Sequence, residues 1–211
     1  MTRFDLNDFA ARLQQTARTL LQNTAADQHL GEVARAVQEL TEVALARHQI
    51  NPEQIACQAG CGHCCIVNVA VLVPEVDAII AHLRHKKSPA QLQQLAERAE
   101  EMFHQVSGLD DEERILSRIH CLFLDATGRC DIYPVRPLLC RALTSTDAGR
   151  CREAITMLAM GAEVQILANT FQQDLFTRAF TGLGAALDNA RLESRSRTLT
   201  SAIRERRTEL S

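Results

Sequence analysis

Tryptophan is absent from this chain, tyrosine occurs once, and aromatic residues make up 4% of its 211 positions. Proteins that hold single-stranded nucleic acid stack bases on aromatic rings, and little is left here to stack on. Positive charge is not in surplus either: 23 Lys and Arg face 26 Asp and Glu, a formal net charge of -3. That balance argues against a phosphate-binding surface, so no nucleic-acid partner is expected. Long apolar runs are missing as well. The longest, IVNVAVLV at 66–73, is far short of a membrane span, so no membrane partner is expected. The opening MTRFDLNDFAARLQQ is polar and amphipathic, without the apolar core of a secretory signal. The chain therefore reads as cytoplasmic. It contains no Gly-rich cofactor loop, no G-x-S-x-G and no H-E-x-x-H, which leaves no catalytic residues to name. Its apolar fraction of 46% is ordinary for a globular protein, and its length suits a single folded unit.

What the chain does have is cysteine, in two clusters. CQAGCGHCC places Cys57, Cys61, Cys64 and Cys65 within nine positions. Some 55 residues on, HCLFLDATGRCDIYPVRPLLCR carries Cys121, Cys130 and Cys140, with Cys151 just beyond. Buried structural cysteines scatter singly through a core, and these do not. In a reducing compartment, clustered thiols argue for metal rather than disulfides. All eight are candidate metal ligands.

Elsewhere the pattern is helical, and the fold class expected is mainly α with little or no β. Phe9, Leu13, Ala17, Leu20 and Leu21 recur at helical spacing, with Asp5 or Asn7 as cap. A second helix runs from about His29 through Leu30, Val33, Val37, Leu40 and Ala44 to a stop at Asn51-Pro52. These two form a helical hairpin, residues 1–51. Its stripes suit packing within the monomer, and a homodimer through the same helices is the alternative.

Residues 52–160 form the cysteine-cluster core. Val67 to Val73 is β-prone, and Pro74-Glu75 opens a helix through Leu83. Ser88, Pro89 and Gln91 start another, which Gly108 closes. Asp110 with Glu113 starts a short one ending near Ile119. Leu122 to Leu124 reads as extended and Asp125 to Gly128 as a turn. Residues 161–211 hold the C-terminal helices and a charged tail, packed with the rest as one globular unit. Here Ala148 to Met160 and Ala162 to Phe180 read as helices separated by Gly161. Gly182 and Gly184 loosen the chain before a last helix, Ala185 to Leu192. From Glu193 onward the tail looks solvated or frayed, without a binding role.

The chemistry lies in the spacing. Cys57, Cys61 and Cys64 are C-x3-C-x2-C, a short loop in which soft thiolates converge on zinc or an iron–sulfur cluster. Gly60 and Gly62 let that loop turn tightly. Side chains of adjacent residues diverge, so Cys65 reaches a second metal, bridges two, or stays a free thiol. Eight thiols suffice for two four-cysteine sites, and spacing does not say which sulfur joins which. Arg136 and Arg141 flank Cys140 and would offset thiolate charge, or serve as ordinary surface arginines. His63 and His120 sit beside cysteines as substitute ligands of second rank, while His29, His48, His82, His85 and His104 read as solvated.

CQAGCGHCC, followed by C-x-F-L and then GRCDIYPVRPLLCR, closely resembles the bacterial YkgJ-type cysteine-cluster family, zinc- or iron-chelating proteins with a CxxxCxxCC signature. The resemblance covers 57 to about 141. It implies metal binding, with ligands at Cys57, Cys61, Cys64, Cys65, Cys121, Cys130 and Cys140; Cys151 lies outside the matched motif. The same C-x3-C-x2-C spacing resembles radical S-adenosylmethionine enzymes, but their barrel needs repeated strand–helix units that are missing here.

The expected function is thus a metal-binding cysteine-cluster protein. Its cofactor is a 4Fe-4S-type cluster or Zn2+, with the first motif's spacing tilting toward iron–sulfur. The alternatives are an oxidoreductase or protein-modifying enzyme using the same cysteines, including a Cys65–histidine nucleophilic pair or a thiol–disulfide switch, and a zinc-stapled interaction module.

Overall fold

The structure, a computed structural model, describes residues 4–23, 30–48 and 55–210. Among them are nine α-helices and one two-stranded sheet, so the protein is mainly α. Helix α1 (Leu6–Asn23) begins at Asp5, whose Oδ1 accepts from the amides of Asn7 and Asp8 at 2.8 and 3.2 Å. Its stripe of Phe9, Leu13, Ala17 and Leu21 is buried, chiefly against α8 (Thr170–Asn189) and also against α2 (Leu30–His48). The expected helix start at His29 and stop at Asn51-Pro52 lie outside the described residues. Val33 and Val37 of the α2 stripe are used inside the chain, whereas Leu40, expected in the same stripe, is exposed, as is Val43.

Gly182 and Gly184 do not loosen the chain. Both lie within α8, and a Cβ on Gly182 would sit 3.2 Å from Leu13 Cδ2. The glycine lets α1 approach α8 closely, which outweighs its poor helix propensity.

A second core gathers α3 (Val73–Lys86), α4 (Pro89–Val106) and α9 (Leu199–Glu205) around Ile79, Leu83, Leu95, Phe123, Ile132 and Ile203. Helix α4 starts where the spacing predicts. Ser88 Oγ accepts from the Gln91 amide, and Gln91 Oε1 accepts from the Ser88 amide at 2.9 Å. Asp110 and Glu113 repeat this reciprocal cap on α5 (Asp111–Leu116) at 2.8 and 3.0 Å.

Two further expectations fail. The region from Glu193 is neither frayed nor a mere solvated helix. β2 (Arg197–Thr198) pairs antiparallel with β1 (Ala70–Val71), and α9 buries Leu199, Ala202 and Ile203. Arg204 grips Glu100 on α4, and Arg206 reaches Asp77 on α3 at 2.6 Å. Few apolar residues serve there, but they share one face. The helix expected over 162–180 begins only at Thr170, because Asn169 caps it by accepting from the Gln172 amide at 3.0 Å. Upstream, the Leu167 carbonyl accepts from the Thr146 amide, and Ile166 and Leu167 are exposed. The remaining helices, α6 (Leu138–Ala142) and α7 (Ala148–Leu158), carry Cys140 and Cys151.

Candidate metal centre

The two cysteine segments, far apart in sequence, are clasped by backbone contact. The Cys121 amide donates to the Cys65 carbonyl at 2.6 Å. Gly60 and Gly128 both adopt left-handed φ, +93 and +77, and a Cβ on Gly128 would lie 2.7 Å from the Gly60 carbonyl oxygen. Glycine is therefore required where the first cysteine loop meets the turn of the second segment. That turn is the one expected: Asp125 accepts from the amides of Thr127 and Arg129, and Leu124 bridges Cys130 across it. At the far side, the Ser145 amide donates to Cys57 Sγ at 3.3 Å, while the Ala56 amide donates to the Ser145 carbonyl at 2.8 Å.

The result is a set of free thiols around two cavities, each of about 440 Å³. Cys61, Cys64, Cys65, Cys121, Cys130 and Cys140 line the first, which we call the inner cavity. Cys57, Cys61, Cys64 and Cys151 line the second, the outer cavity. Cys61 and Cys64 form the wall between them. Thr198, Leu199 and Thr200 also line the inner cavity, so the misread tail forms part of the site. Among the described residues, no three His, Cys, Asp or Glu side chains meet in a ready-made ligating arrangement. The sulfurs face cavities instead of a point.

Cys64 is drawn below the ordinary thiol value. The neighbouring Cys65 thiol and the Arg136 guanidinium favour its thiolate and bring its pKa down to about 6, against the opposing effect of burial. The Cys64 thiolate beside it, together with burial, raises the Cys65 thiol. Burial pushes Cys121 up to about 11 and Cys140 well above the ordinary thiol value, and nearby thiols add to both. Assembling these sulfurs as thiolates thus needs positive charge. Arg136 supplies some, with the field of its guanidinium reaching Cys64, Cys130 and Cys140. Its Nε is buried without a hydrogen-bond partner.

Arg141, the other flanking arginine, turns away from the sulfurs. It pairs with Glu42 and donates to the carbonyls of Arg136, Tyr133 and Pro134 at 2.8, 3.3 and 3.1 Å. Its role is to clamp the loop that presents Arg136. Glu75 was not singled out in the sequence beyond its place at a helix start. It is fully buried and accepts from the Leu72 amide at 2.9 Å and the Leu138 amide at 2.8 Å. It therefore caps α3 and α6 together and sets the base of the helix that carries Cys140. Burial pushes its pKa up to about 7.

The histidines divide. His63 lines the outer cavity, away from Cys65, and His120 is exposed, so neither faces the cavity that Cys65 lines. His82 is not solvated as expected: it is partly buried, with Nε2 lacking a partner.

Residues 56–162, just over half of the chain, match the model of the CxxCxxCC family, described as "Putative zinc- or iron-chelating domain". The chain belongs to this family. The CxxCxxCC domain contains all eight cysteines, Cys151 included, and leaves α1, α2, α8 and α9 outside the matched region. No curated protein and no solved structure matched the chain. No helix among the described residues is long and apolar enough to cross a membrane.

The residues suit zinc or iron. Their donors are soft thiols, none tied up in a disulfide, and the orphaned Arg136 Nε beside them is a donor for which thiolate sulfur is a fitting acceptor.

Proposed function

We propose that the chain holds an iron–sulfur cluster among the inner thiols, Cys61, Cys64, Cys65, Cys121, Cys130 and Cys140, and that this centre is accessible from solvent. The observation that carries the reading is six thiols around one cavity of about 440 Å³. A structural zinc site closes four ligands onto one ion at about 2.3 Å from each sulfur, and needs no such room. A cluster is held by thiolates at separate corners, and when bound it supplies one-electron chemistry. The protein's part is to present the thiolates, offset their charge through Arg136, and fix Cys140 through Glu75. Hydrogen bonds and exposure of the sulfurs tune such a centre.

Zinc is the second reading, favoured by the thiol number, since eight divide into two sets of four. Anaerobic purification followed by iron, acid-labile sulfide and zinc analysis separates the two. Iron with matching sulfide and a broad brown absorbance supports the cluster. Colourless protein with stoichiometric zinc replaces it with the second reading. Protein without metal under these conditions overturns both.

A further inference from the structure

The two cavities differ in the chemistry of their walls. Arg114, Arg129 and Arg136 line the inner cavity, whereas the outer one has no Lys or Arg among the described residues of its lining, and Glu163 is its one acidic side chain. Cys61 and Cys64 belong to the metal centre described above. Most of the remaining outer wall is aliphatic, with Ile66, Ile115, Leu143, Ile155, Leu158 and Val164 among its side chains. Exposed apolar residues gather around it. Leu143 and Ile166 line the cavity and are exposed, and the exposed Leu116, Met160 and Leu167 lie within two residues of its lining. Apolar surface left open in one place on a folded chain marks an interaction or ligand site. Its concave shape, and a volume of about 440 Å³ against the roughly 300–1,000 Å³ usual for small-molecule sites, suit a small molecule better than a flat partner surface. We propose that the outer cavity binds an uncharged lipophile, a molecule with an aliphatic body and a hydroxyl or carbonyl head. This site does not depend on which metal the thiols hold.

Helix α7 supplies an independent observation. It has 11 residues and buries none of its side chains. A helix this short is marginal in water without tertiary packing. It meets α5 and the 3-10 turn His63–Ile66, and residues of all three line the outer cavity, Ile155 and Leu158 from α7 among them. An aliphatic ligand there covers these side chains and gives α7 the packing that the chain itself does not. Charge selects the ligand's class. A carboxylate or phosphate head would meet no Lys or Arg in this lining, and an ammonium would meet only Glu163, which is exposed. Leaving water without a partner costs an ion far more than a neutral head. A hydroxyl or carbonyl head finds partners in Thr144 and Gln173. Thr144 Oγ1 accepts from the Asn169 amide at 3.3 Å, and a hydroxyl that accepts one bond can still donate another.

The test uses the anaerobically purified chain, with Nile red, an uncharged lipophilic dye that fluoresces in apolar surroundings, as probe. Decanol, the isoprenoid alcohol geraniol, decanoate and decylammonium compete for the site, each kept below its micelle-forming concentration. Wild type, Leu158→Glu, Ala154→Phe and Leu40→Glu are compared. We expect saturable dye binding, displaced by the alcohols, and by the two ions only at about tenfold higher concentration or more. Leu158→Glu brings a charge into the cavity and Ala154→Phe fills it, so each should weaken dye binding about tenfold or more. Leu40→Glu, on α2, should match the wild type. Decanol should slow amide hydrogen exchange across 148–158 in the wild type and not in Leu158→Glu. Leu40 is exposed and α7 has no buried side chain, so far-UV circular dichroism should report the same fold in all four. A preference between decanol and geraniol tells a straight chain from an isoprenoid, and either supports the site. Equal displacement by alcohols and ions, or dye binding unchanged in Leu158→Glu and Ala154→Phe, overturns it. Metal content of the same samples reports separately on the metal centre: a chain that keeps its metal and binds no dye overturns the lipophile site alone.

Discussion

Replacing Glu75 by glutamine should change the protein's stability in a strongly pH-dependent way. Glu75 is completely buried, and burial raises its carboxyl to about 7 from an ordinary value of 4.5. Below pH 4.5 the carboxyl is protonated in both folded and unfolded chains, and its stabilising contribution is fully present. Between pH 4.5 and 7 the unfolded chain ionises first while the folded chain keeps its proton, so stability falls as pH rises. Above 7 both forms are ionised and the curve is flat. Each pH unit between those two values is worth about 1.36 kcal/mol, so the whole difference is about 3 kcal/mol, of which about 2.5 kcal/mol falls between pH 5 and 8. Glu75→Gln has no proton to lose. Its cost relative to wild type should therefore be largest at pH 5 and shrink by about 2.5 kcal/mol at pH 8. Urea unfolding of both proteins, under the same reductant and chelator, measures this difference with the other titrating groups cancelled. A difference between the two proteins that does not change with pH would show that Glu75 is not held protonated by the fold, and the account of its burial would be wrong.

Three further outcomes follow from particular contacts. Arg141→Met leaves the carbonyls of Tyr133, Pro134 and Arg136 without their donor, and should cost about 1–3 kcal/mol in urea unfolding, with little added by the half-exposed Glu42; an unchanged stability contradicts the clamp. In the reduced, metal-free chain at pH 7, Cys64 should alkylate first, its rate rising with pH through about 6, as peptide mapping would reveal. Uniform labelling of the eight thiols refutes the Cys64–Cys65 pair. Ile203→Ala should cost about 2–5 kcal/mol, because the tail is core, whereas a frayed tail would tolerate it without measurable loss.

Much of the fold was legible where local chemistry determines structure. Ser88 with Gln91 and Asp110 with Glu113 announce their helices because each cap is closed within four residues. The cysteine segments were conspicuous by crowding alone. What escaped depends on contacts between distant segments. Leu199, Ala202 and Ile203 are too few to stand out in a run of Arg, Ser and Thr, and gain meaning only against α4. Val164 and Leu167 looked like the start of a helical stripe continued by Phe171 and Leu175, but Asn169 caps the helix after them and the Leu167 carbonyl is engaged by Thr146. Glu75 resembled any acidic residue in a first helical turn. Its second partner, the Leu138 amide, lies 63 residues away. The spacing placed the eight cysteines together without dividing them, and their distribution over two cavities depends on where α6 and α7 bring Cys140 and Cys151.

The central claim is that these thiols bind metal. It is tested most directly by metal content per chain, measured side by side in anaerobically purified wild type, Cys61→Ser, Cys140→Ser and His104→Asn. Cys61 lies on the wall of both cavities and Cys140 lines the inner one, while His104 is exposed beside Glu100. Both cysteine variants should lose at least half of the metal, and His104→Asn should match the wild type. Full metal content in Cys140→Ser would contradict the account.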